Sequence, residues 1–580
     1  MKFYKVIILL ALIPIIASCG KKEGTYNLRI YATNDLHGRF FDSLYSANRA
    51  NPASMANVSS YIREKRAEVG EENILLLDIG DALQGDNASY FSNYIDTNRN
   101  EGKHLFTQIT EFVGYDALVV GNHDIETGHN VYDRLLSELK VPYLAANALK
   151  NDGTGCYFGE YAIFKRGGLK VAVIGMTNPN IKSWLDESLY SGMHFVEIEH
   201  IADSLISVVR ERERPDLTVL AIHAGLGDGS DNLENPARYL AAKLKGVDII
   251  LAAHDHRTCC EKIFNGEDST VLLEGGSRSH YLSSVDIKLE YSDGKLVKKE
   301  MEAELIPMAE VKKDEQYIAR FREYFNRVKE FSTKRVGSLA RELQTCDAFF
   351  GPSDYMSLIH SIQLQASGAD ISFAAPLTTD GHIKAGDFDY QGLFTIYPFE
   401  NQLFVISLTG EQVKNYLECS YNYWISTMKS GKDHIMNLRY EADRNRYSFK
   451  NMPYNFDSAA NIEYEVDVRE PYGRRIKISG FSNGKAFSMD SLYTVALSSY
   501  RASGGGDLLV KGAGIPAGSL QSIIVRKMDD LRRLIYNMYQ NGEDKNITEH
   551  DNWKFVPENW TIPALKRDKE LLFGTNPAVL

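Results

Sequence analysis

Residues 118–129 read LVVGNHDIETGH, in which an apolar run leads directly into Asn122, His123 and Asp124. An amide, an imidazole and a carboxylate in succession could bind a metal ion or move a proton, and they could also form an ordinary polar turn. The same transition recurs in the first half of the chain. Four further apolar runs lead into such groups: LRIYA into Asp35 and His37, ILLLDIG into Asp81, LTVLAI into His223, and DIILAA into His254 and His256.

These side chains have the chemistry and spacing of a metal centre. Asp35 and His37 are two residues apart, as are His254 and His256, and in extended chain that spacing places both side chains on one face. Mixed oxygen and nitrogen donors suit Zn, Mn, Fe, Co or Ni better than Ca. Two ions that share one carboxylate need about seven or eight protein contacts. The predicted ligands are Asp35, His37, Asp81, Asn122, His223, His254 and His256.

Other polar residues near these positions are expected to play different parts. Asp78, two residues before Gly80, should point inward and cap a loop, so we prefer Asp81 as the ligand. Asp255 should point away from the histidines on either side of it if the segment is extended. His129 and His280 are expected to support the site or the fold and not to bind metal.

The elements that must position these groups follow from the pattern between residues 26 and 310. Apolar strands rich in Val, Ile and Leu alternate with amphipathic stretches such as ASMANVSSYIREKRAEV. Nearly continuous hydrophobicity is expected of strands covered on both faces. We predict an α/β sandwich with a central sheet. Because ligands bind at the carboxyl ends of the strands in α/β sheets, the polar groups should meet there.

The rest of the chain is expected to form a second domain, since 580 residues exceed one ordinary core. Residues 311–345 are charged, with apolar residues at helical spacing, and are predicted to be a linker helix. Residues 346–530 mix helices, aromatic-rich strands and turns, which indicates an α+β domain. A helix should start at Thr409. Residues 531–580 form a polar tail whose packing the pattern does not predict.

The composition and net charge of the chain limit the kinds of molecule that it is expected to bind. Apolar residues make up 44% of the chain and charged residues 24%, as in globular proteins. The net charge of −12 argues against binding a nucleic acid polymer, which requires a positive field. A small anion remains a fitting substrate where metal ions reverse the local charge. We predict no obligate protein partner.

The N-terminus has the features of an export signal. Lys2 and Lys5 precede the apolar run VIILLALIPIIA at 6–17, which is too short to span a bilayer. Residues 16–19, IASC, resemble the bacterial lipobox, in which Cys19 would be lipidated; an ordinary cleaved signal with a stray cysteine is the alternative. Residues 1–19 are therefore predicted to be a lipoprotein signal peptide. The protein would be anchored to a cell-envelope membrane, on its periplasmic or its surface side.

Five cysteines remain after Cys19, and an odd number cannot pair completely within one chain. A disulfide using Cys259 or Cys260 is allowed in an exported protein, and two buried thiols fit the sequence equally well.

The motifs together carry a family resemblance. D-x-H at Asp35, G-D-x-x-x-G at Gly80, G-N-H-D at Gly121, H-A-G at His223 and H-x-H at His254 resemble the calcineurin-like metallophosphoesterase superfamily. Their order is similar to that of the exported 5'-nucleotidase family, which adds a C-terminal substrate-binding domain. The resemblance implies a catalytic role for His123 and a bridging role for Asp81. It assigns Asp35, His37, Asp81 and His256 to one ion and Asp81, Asn122, His223 and His254 to the other.

The chain departs from the 5'-nucleotidase pattern at three places. Glu126 stands where an Asp normally orients the catalytic histidine. The G-G-x-R segment that grips a 5'-phosphate is replaced by a stretch containing Ala375 and Pro376, without the arginine. In SSYRASGGGDLL, Gly506 stands where a ribose-binding Asp is expected, and Asp507 is displaced by one position.

At these places the chain resembles another branch of the family, the 2',3'-cyclic-nucleotide 2'-phosphodiesterase/3'-nucleotidases. In that branch two aromatic rings clamp the base; Tyr500 matches one, and Tyr454 or Phe456 the other. The resemblance implies hydrolysis of nucleoside 2',3'-cyclic phosphates to 3'-nucleotides and then to nucleosides. It also implies rotation of the C-terminal domain about the linker helix. A 5'-nucleotidase or nucleotide-sugar hydrolase is the alternative, and a non-catalytic surface binding protein a more distant one.

Overall fold

The computed structural model describes residues 21–45, 50–98, 102–266, 268–441, 445–542 and 547–574. The predicted lipidation site Cys19 and the apolar run at 6–17 lie outside these residues. Across the described ranges, no helix combines the length and the apolar character needed to cross a bilayer.

The N-terminal domain contains two six-stranded sheets. The first has the order β14-β13-β1-β2-β3-β4, with β1 to β4 parallel and β13 and β14 antiparallel. The second has the order β11-β12-β10-β9-β7-β6, with antiparallel strands at both edges. The strands are β1 (Gly24–Thr33), β2 (Ile74–Asp78), β3 (Ala117–Val119), β4 (Tyr143–Leu144), β5 (Ala148–Lys150), β6 (Tyr161–Arg166), β7 (Leu169–Met176), β8 (Met193–Phe195), β9 (Leu217–Ile222), β10 (Ile249–Leu251), β11 (Thr258–Asn265), β12 (Asp268–Gly275), β13 (Tyr281–Ser292) and β14 (Lys295–Pro307).

The two sheets pack face to face, and helices cover their outer faces. Leu77 of the first sheet and Val219 of the second share one buried cluster. Helices α1, α3 and α5 cover the first sheet, and α6 and α7 the second. Two stacked sheets thus replace the predicted central sheet, because the central strands are covered by helices on one face and by the other sheet on the opposite face. The helices are α1 (Met55–Val69), α2 (Asn87–Tyr90), α3 (Leu105–Val113), α4 (Asn122–Glu126), α5 (His129–Glu138), α6 (Ile198–Glu213) and α7 (Ala237–Lys243).

The linker helix α8 spans Glu315–Ser332 and is shorter than the predicted 311–345. It begins at Asp314, whose carboxylate accepts hydrogen bonds from the first N–H groups of the helix. After Ser332 the chain becomes strand β15 (Arg335–Leu339), because Val336 and Leu339 are buried in the core of the C-terminal domain. Phe331 contacts the cores of both domains.

The C-terminal domain is built on a mixed sheet of order β23-β17-β26-β20-β27. Helix α11 starts at Thr409 as predicted, with a capping box to Gln412. The remaining strands are β16 (Leu343–Gln344), β17 (Ile371–Ala374), β18 (His382–Ile383), β19 (Gly386–Asp389), β20 (Gln402–Thr409), β21 (Leu438–Glu441), β22 (Arg446–Phe449), β23 (Ser458–Ala460), β24 (Ile462–Asp467), β25 (Ile476–Phe481), β26 (Leu492–Ser498), β27 (Ile524–Asp530) and β28 (Trp553–Val556). The helices are α9 (Asp354–Ser367), α10 (Tyr390–Ile396), α11 (Gly410–Trp424), α12 (Ser499–Ala502), α13 (Leu531–Gln540) and α14 (Glu558–Phe573).

The segment after residue 530, for which the sequence predicts no packing, belongs to this domain. Ile535 of α13 and Ala564 of α14 are fully buried. Strand β28 pairs in parallel with β24. All five cysteines in the described part of the chain are free thiols, so the disulfide allowed for Cys259 or Cys260 is not formed.

Candidate metal centre and active site

The first group of predicted ligands lies where β1 and β10 end. The Oδ1 atom of Asp35 is 3.9 Å from Nε2 of His37 and 3.5 Å from Nε2 of His256. The two imidazole nitrogens are 2.9 Å apart. One carboxylate and two imidazoles therefore face a common point, which is the arrangement that a divalent metal ion requires.

The second group adjoins the first. The Oδ2 atom of Asp81 is 3.0 Å from Nε2 of His223, and Oδ1 of Asn122 is 2.9 Å from Nδ1 of His254. Ligand atoms of Asp81, His223 and His254 lie within 4.8 Å of one another. Because Nε2 of His223 is also 4.0 Å from Oδ1 of Asp35, the two groups form one continuous centre. The structure brings all seven predicted ligands together.

The backbone is strained at these ligands. Five of the seven have left-handed φ angles: 46° at Asp35, 45° at His37, 59° at Asp81, 92° at His254 and 58° at His256. Such a conformation costs a non-glycine residue about 1–3 kcal/mol and persists only where the surrounding structure enforces it. Main-chain hydrogen bonds from the N–H groups of Asp35 and His37 to the loop after β2 hold part of this geometry. Strain concentrated in this way is typical of a functional site.

Hydrogen bonds fix the direction in which the imidazoles point. Nδ1 of His37 donates to the Gln84 carbonyl at 3.0 Å, and Nδ1 of His223 donates to the Ile79 carbonyl at 2.7 Å. Since a carbonyl can only accept, each Nε2 carries a lone pair directed at the centre. Nε2 of His223 and Oδ1 of Asp35 are buried and make no hydrogen bond of good geometry among the described residues, and the carboxylate oxygen 3.0 Å from Nε2 of His223 belongs to another predicted ligand, Asp81. Buried polar atoms without partners are costly, so these two fit metal ligands.

Two further carboxylates stabilise the loops and do not face the centre. Asp124 accepts hydrogen bonds from the N–H groups of Asp81 at 3.0 Å and Gly121 at 2.8 Å, and thereby joins the loops after β2 and β3. This role is not evident from the sequence. Asp78 is 1% exposed and accepts from the Thr33 hydroxyl and the Gly80 N–H, so it caps a loop in the predicted way.

The other side chains named beside the ligands also have local partners. Asp255 accepts hydrogen bonds from the Leu226 and Arg257 N–H groups and lies outside both ligand groups. His129 contacts Asp133 and Ser191. These contacts give both residues structural roles.

His123 lies at the rim of the centre, on the first turn of α4. Its Nδ1 is hydrogen-bonded to the Glu126 carboxylate, one turn along the helix. Burial lowers the pKa of His123, but the carboxylates of Asp81 and Glu126 outweigh it and raise the pKa to about 10. The longer side chain of Glu126 therefore still reaches the histidine that it is expected to orient.

Two residues that the sequence analysis missed flank His254. The Trp184 ring stacks on its imidazole, with centroids 5.2 Å apart and planes 21° apart. The Glu234 carboxylate is 3.2 Å from its Nε2. They lie in the loops after β7 and β9, well beyond the strand ends, so the pattern that identified the ligands, polar groups directly after a strand, does not reach them.

A cleft of about 1230 Å³ runs from these residues to the C-terminal domain. Trp184 and Glu234 line it from one side, and Tyr454 and Tyr500 from the other. The two tyrosine rings meet edge to face, with centroids 6.4 Å apart and planes 83° apart. The cleft is therefore lined by the two residues that contact the predicted ligand His254 and, opposite them, by a pair of aromatic rings.

Of the two remaining residues predicted to bind the substrate, Phe456 lies in the core and Asp507 lines the cleft. Phe456 is fully buried and stacks on Trp424 in the core of the C-terminal domain, so its prediction as a base-clamping ring is wrong. The short turn Pro453–Asn455 explains this difference, because it sends Tyr454 to the cleft and Phe456 to the core. Asp507 lines the cleft, and its carboxylate is 2.7 Å from Nζ of Lys511.

Comparison with protein-family models gives two matches. Residues 28–258 match the calcineurin-like phosphoesterase family, and residues 331–511 match the 5'-nucleotidase C-terminal domain. The chain therefore joins a calcineurin-like phosphoesterase domain to a 5'-nucleotidase C-terminal domain. The recognition made from the motifs and the predicted two-domain α/β architecture are confirmed.

Individual relatives span the whole architecture. The chain is 24% identical, over 92% of its length, to the trifunctional nucleotide phosphoesterase YfkN of Bacillus subtilis, and it spans 39% of that protein. It is 22% identical to a 2',3'-cyclic-nucleotide 2'-phosphodiesterase/3'-nucleotidase of Haemophilus influenzae, over 93% of this chain and 88% of the relative. A solved Staphylococcus aureus structure, named as a 5'-nucleotidase, has a TM-score of 0.75 at 21% identity and covers 91% of this chain and 99% of its own. That structural likeness shows the fold.

The phosphoesterase domain is that of a metal-dependent enzyme, and its own residues fit divalent ions. The two groups of ligand atoms, the buried atoms without partners and the strained loops all converge on the same place. Asp35, His37 and His256 would hold an ion on one side of the centre, and Asp81, His223 and His254 on the other.

Proposed function

We propose that the protein is an exported, metal-dependent phosphohydrolase that opens nucleoside 2',3'-cyclic phosphates to 3'-nucleotides and then hydrolyses these to nucleoside and phosphate. The observation that carries this proposal is the cleft between the domains, where two residues in contact with the predicted ligand His254 lie opposite two aromatic rings of the 5'-nucleotidase C-terminal domain. One end suits a phosphoryl group and the other a nucleobase.

At the phosphoryl end, two divalent ions of the Zn, Mn, Fe, Co or Ni type would activate water and offset the charge of the phosphate. His123 is held through Nδ1 by Glu126, so its Nε2 is left to donate to a phosphoryl or leaving-group oxygen. Oδ1 of Asp81 accepts a hydrogen bond from the main-chain N–H of His123 at 2.8 Å and thereby links this histidine to the ligand loops. The arrangement keeps a proton donor beside the ligand groups without making it a ligand.

At the base end, Tyr454 and Tyr500 would stack on the two faces of the nucleobase. Stacking contributes about 1–3 kcal/mol per base and accepts any base. A base between two rings needs them nearly parallel and about 7 Å apart, twice the van der Waals contact distance. Since the rings meet edge to face in this structure, one of them must turn when a nucleotide binds.

The preference for 3'- and cyclic phosphates is inferred from the residues that stand where 5'-nucleotidases have an arginine that binds the 5'-phosphate. Ala375 occupies that part of the sequence and is 7% exposed, so it offers neither charge nor surface to a phosphate. The similarity to a relative named as a 2',3'-cyclic-nucleotide 2'-phosphodiesterase/3'-nucleotidase supports the same choice. The alternative is a 5'-nucleotidase or nucleotide-sugar hydrolase, and the match of residues 331–511 to the 5'-nucleotidase C-terminal domain supports it.

The experiment is phosphate release with product identification from 2',3'-cyclic AMP, 3'-AMP and 5'-AMP. Each substrate is assayed with Mn, Co or Zn added and again after chelation. Turnover of the first two, abolished by the chelator and restored by metal, supports the proposal. Preferential release of phosphate from 5'-AMP would favour the alternative. Metal-loaded protein that hydrolyses none of the three would favour a binding role.

We also propose that the protein is a lipoprotein anchored through Cys19 to a cell-envelope membrane. The support is the sequence alone: a basic start, the apolar run at 6–17 and the lipobox-like IASC. Metabolic labelling with an alkyne fatty acid should mark the wild-type protein and leave Cys19→Ala unlabelled. Equal labelling of the two proteins would contradict this anchor.

A further inference from the structure

One buried arginine, Arg501, connects the two segments that carry the tyrosine rings. It follows Tyr500 directly on α12 and is 3% exposed. Its Nη2 donates to the Tyr454 carbonyl at 2.9 Å, and its Nη1 donates to Oδ1 of Asn455 at 3.1 Å and to the Gly505 carbonyl at 2.5 Å. The guanidinium therefore contacts the turn that carries the Tyr454 ring and the loop that follows the Tyr500 ring.

Asp457 fixes this guanidinium to the core of the domain. Arg501 donates to both carboxylate oxygens, at 2.7 Å and 3.2 Å, in a two-point pair. Asp457 is 2% exposed and also accepts from the Tyr416 hydroxyl, which belongs to α11. An ion pair this deeply buried is tolerated only when the remaining donors are satisfied, and here they are satisfied by the two ring-bearing segments.

The glycines after Tyr500 allow this close approach. A Cβ atom on Gly505 would lie 2.5 Å from the Tyr500 ring, and one on Gly506 would lie 2.3 Å from Nη1 of Arg501. Gly506 has a φ of 71°, which also favours glycine. The loop thus packs against the ring and the guanidinium, and the guanidinium carbon lies 5.3 Å from the ring centroid.

We propose that Arg501, paired with Asp457, is the positioning residue that sets the spacing and orientation of Tyr454 and Tyr500, and so gives the enzyme its selectivity for nucleotides over phosphoesters that lack a base. Arg501 is not among the residues that line the cleft, so it acts through the rings and does not touch the substrate. This inference rests on the proposed function, because it assumes that the rings receive a nucleobase.

The principal test variant is Arg501→Lys, which keeps the charge and loses the planar fork that reaches both segments. The matched control is Arg475→Lys. Arg475 is also 3% exposed in the C-terminal domain and donates to backbone carbonyls, among them that of Tyr421, but it does not line the cleft or contact the ring-bearing segments. Thermal unfolding of both variants measures the shared cost of disturbing a buried arginine.

Three measurements are made on the metal-loaded full chain: kcat and KM for 3'-AMP, kcat/KM for β-glycerophosphate, which has no base, and the Kd for adenosine, which has no phosphate. We expect Arg501→Lys to raise KM for 3'-AMP and Kd for adenosine about tenfold, the scale of losing one stacked face. The kcat for 3'-AMP and the β-glycerophosphate value should stay within about twofold. Arg475→Lys should leave all of these values unchanged. Asp457→Asn should raise the KM for 3'-AMP and the Kd for adenosine as Arg501→Lys does.

The outcomes separate this inference from the proposed function. An unchanged Kd for adenosine, or an equal loss for 3'-AMP and β-glycerophosphate, would overturn the positioning role. If the wild type binds adenosine and Arg501→Lys weakens that binding, the role stands even if 3'-AMP proves a poor substrate, in which case only the proposed function fails. Should Arg501→Lys not fold, Asn455→Ala removes one of its hydrogen bonds without burying a new charge. Its Kd for adenosine is then expected to rise by a smaller factor, and an unchanged value counts against the inference.

Discussion

The metal centre and the aromatic pair are held by different parts of the fold. Each ligand of the centre follows the end of a strand, and its position is fixed by sheet topology and main-chain hydrogen bonds. Tyr454 lies on a short turn and Tyr500 on the one-turn helix α12, and one buried arginine joins these two segments. The comparison indicates that the backbone sets the geometry of the centre, whereas side chains set the spacing of the rings.

The largest expected effect concerns the centre. Asp81→Asn should abolish activity, by about 10³-fold or more, and reduce the bound metal, because its carboxylate lies against His223 and in the second ligand group. Metal content by mass spectrometry and kcat for 3'-AMP measure both effects. Asp78→Asn is the matched control, since Asp78 is an equally buried neighbour that only caps a loop; it should lower stability and keep the metal. Equal metal loss in the two variants would contradict a centre defined by its ligands.

His123→Ala should lower kcat by about 10²–10⁴-fold while the protein keeps its metal, because His123 lies beside the ligands and is not one of them. Glu126→Gln should lower kcat by about 10–100-fold through loss of the carboxylate that orients the ring, and Glu126→Asp should restore part of it. Activity assays at constant metal occupancy distinguish these effects. A loss of metal in His123→Ala would contradict its assignment as a proton donor.

The aromatic pair should give smaller effects of a different kind. Tyr500→Ala and Tyr454→Ala are expected to raise KM for nucleotides by about 5–100-fold with little change in kcat, because each removes one stacked face. Phe456→Leu is the control, since the buried Phe456 ring packs on Trp424; it should lower the melting temperature and leave KM unchanged. A rise in KM for Phe456→Leu equal to that of Tyr454→Ala would reverse the choice between the two rings.

The smallest effect is expected at the contact between the domains. Glu400 lies beside Arg532 at 3.1 Å and accepts a hydrogen bond from the Tyr94 hydroxyl of the other domain. Burial raises the pKa of Glu400 to about 7, although Arg532 opposes the rise. Between pH 4.5 and about 7, Glu400 is therefore protonated in the folded state and ionised in the unfolded state. The free energy of unfolding consequently falls as the pH rises from about 5 to 7.

Glu400→Gln cannot lose this proton. The melting temperature of Glu400→Gln minus that of the wild type should therefore be about 2 °C or more higher at pH 8 than at pH 5. Scanning calorimetry of the two proteins at both pH values measures the difference. A constant difference across that range would show that Glu400 does not titrate there.

The sequence contained most of the information for the metal centre. Asp35, Asp81 and His223 were predictable because an apolar strand followed by a polar group marks a strand end, and strand ends meet at one edge of a sheet. The number of sheets was not predictable, because a strand covered by helices has the same composition as one covered by another sheet. The roles of Asp124, Trp184 and Glu234 depend on loop conformations that no local pattern encodes.

The aromatic end was harder to predict for a physical reason. Tyr454 and Phe456 are two residues apart, and only the conformation of the turn between them decides which ring enters the core. Arg501 has the appearance of an ordinary surface residue in SYRASGGGD, since its partner Asp457 is 44 residues away. In the segment after residue 530, Leu531, Ile535 and Met538 of α13 recur at helical spacing, a signal that the sequence analysis missed, whereas β28 and α14 are single elements added to an existing core.

The measurement that tests the central claim most directly is the ratio of kcat/KM for 3'-AMP to that for 5'-AMP, with 2',3'-cyclic AMP alongside, in protein stripped of metal and then reloaded. The proposed function predicts no turnover in the stripped protein. After reloading, it predicts a ratio well above one, and 3'-AMP as the first product formed from the cyclic substrate. A ratio at or below one, or turnover that survives removal of the metal, would contradict it.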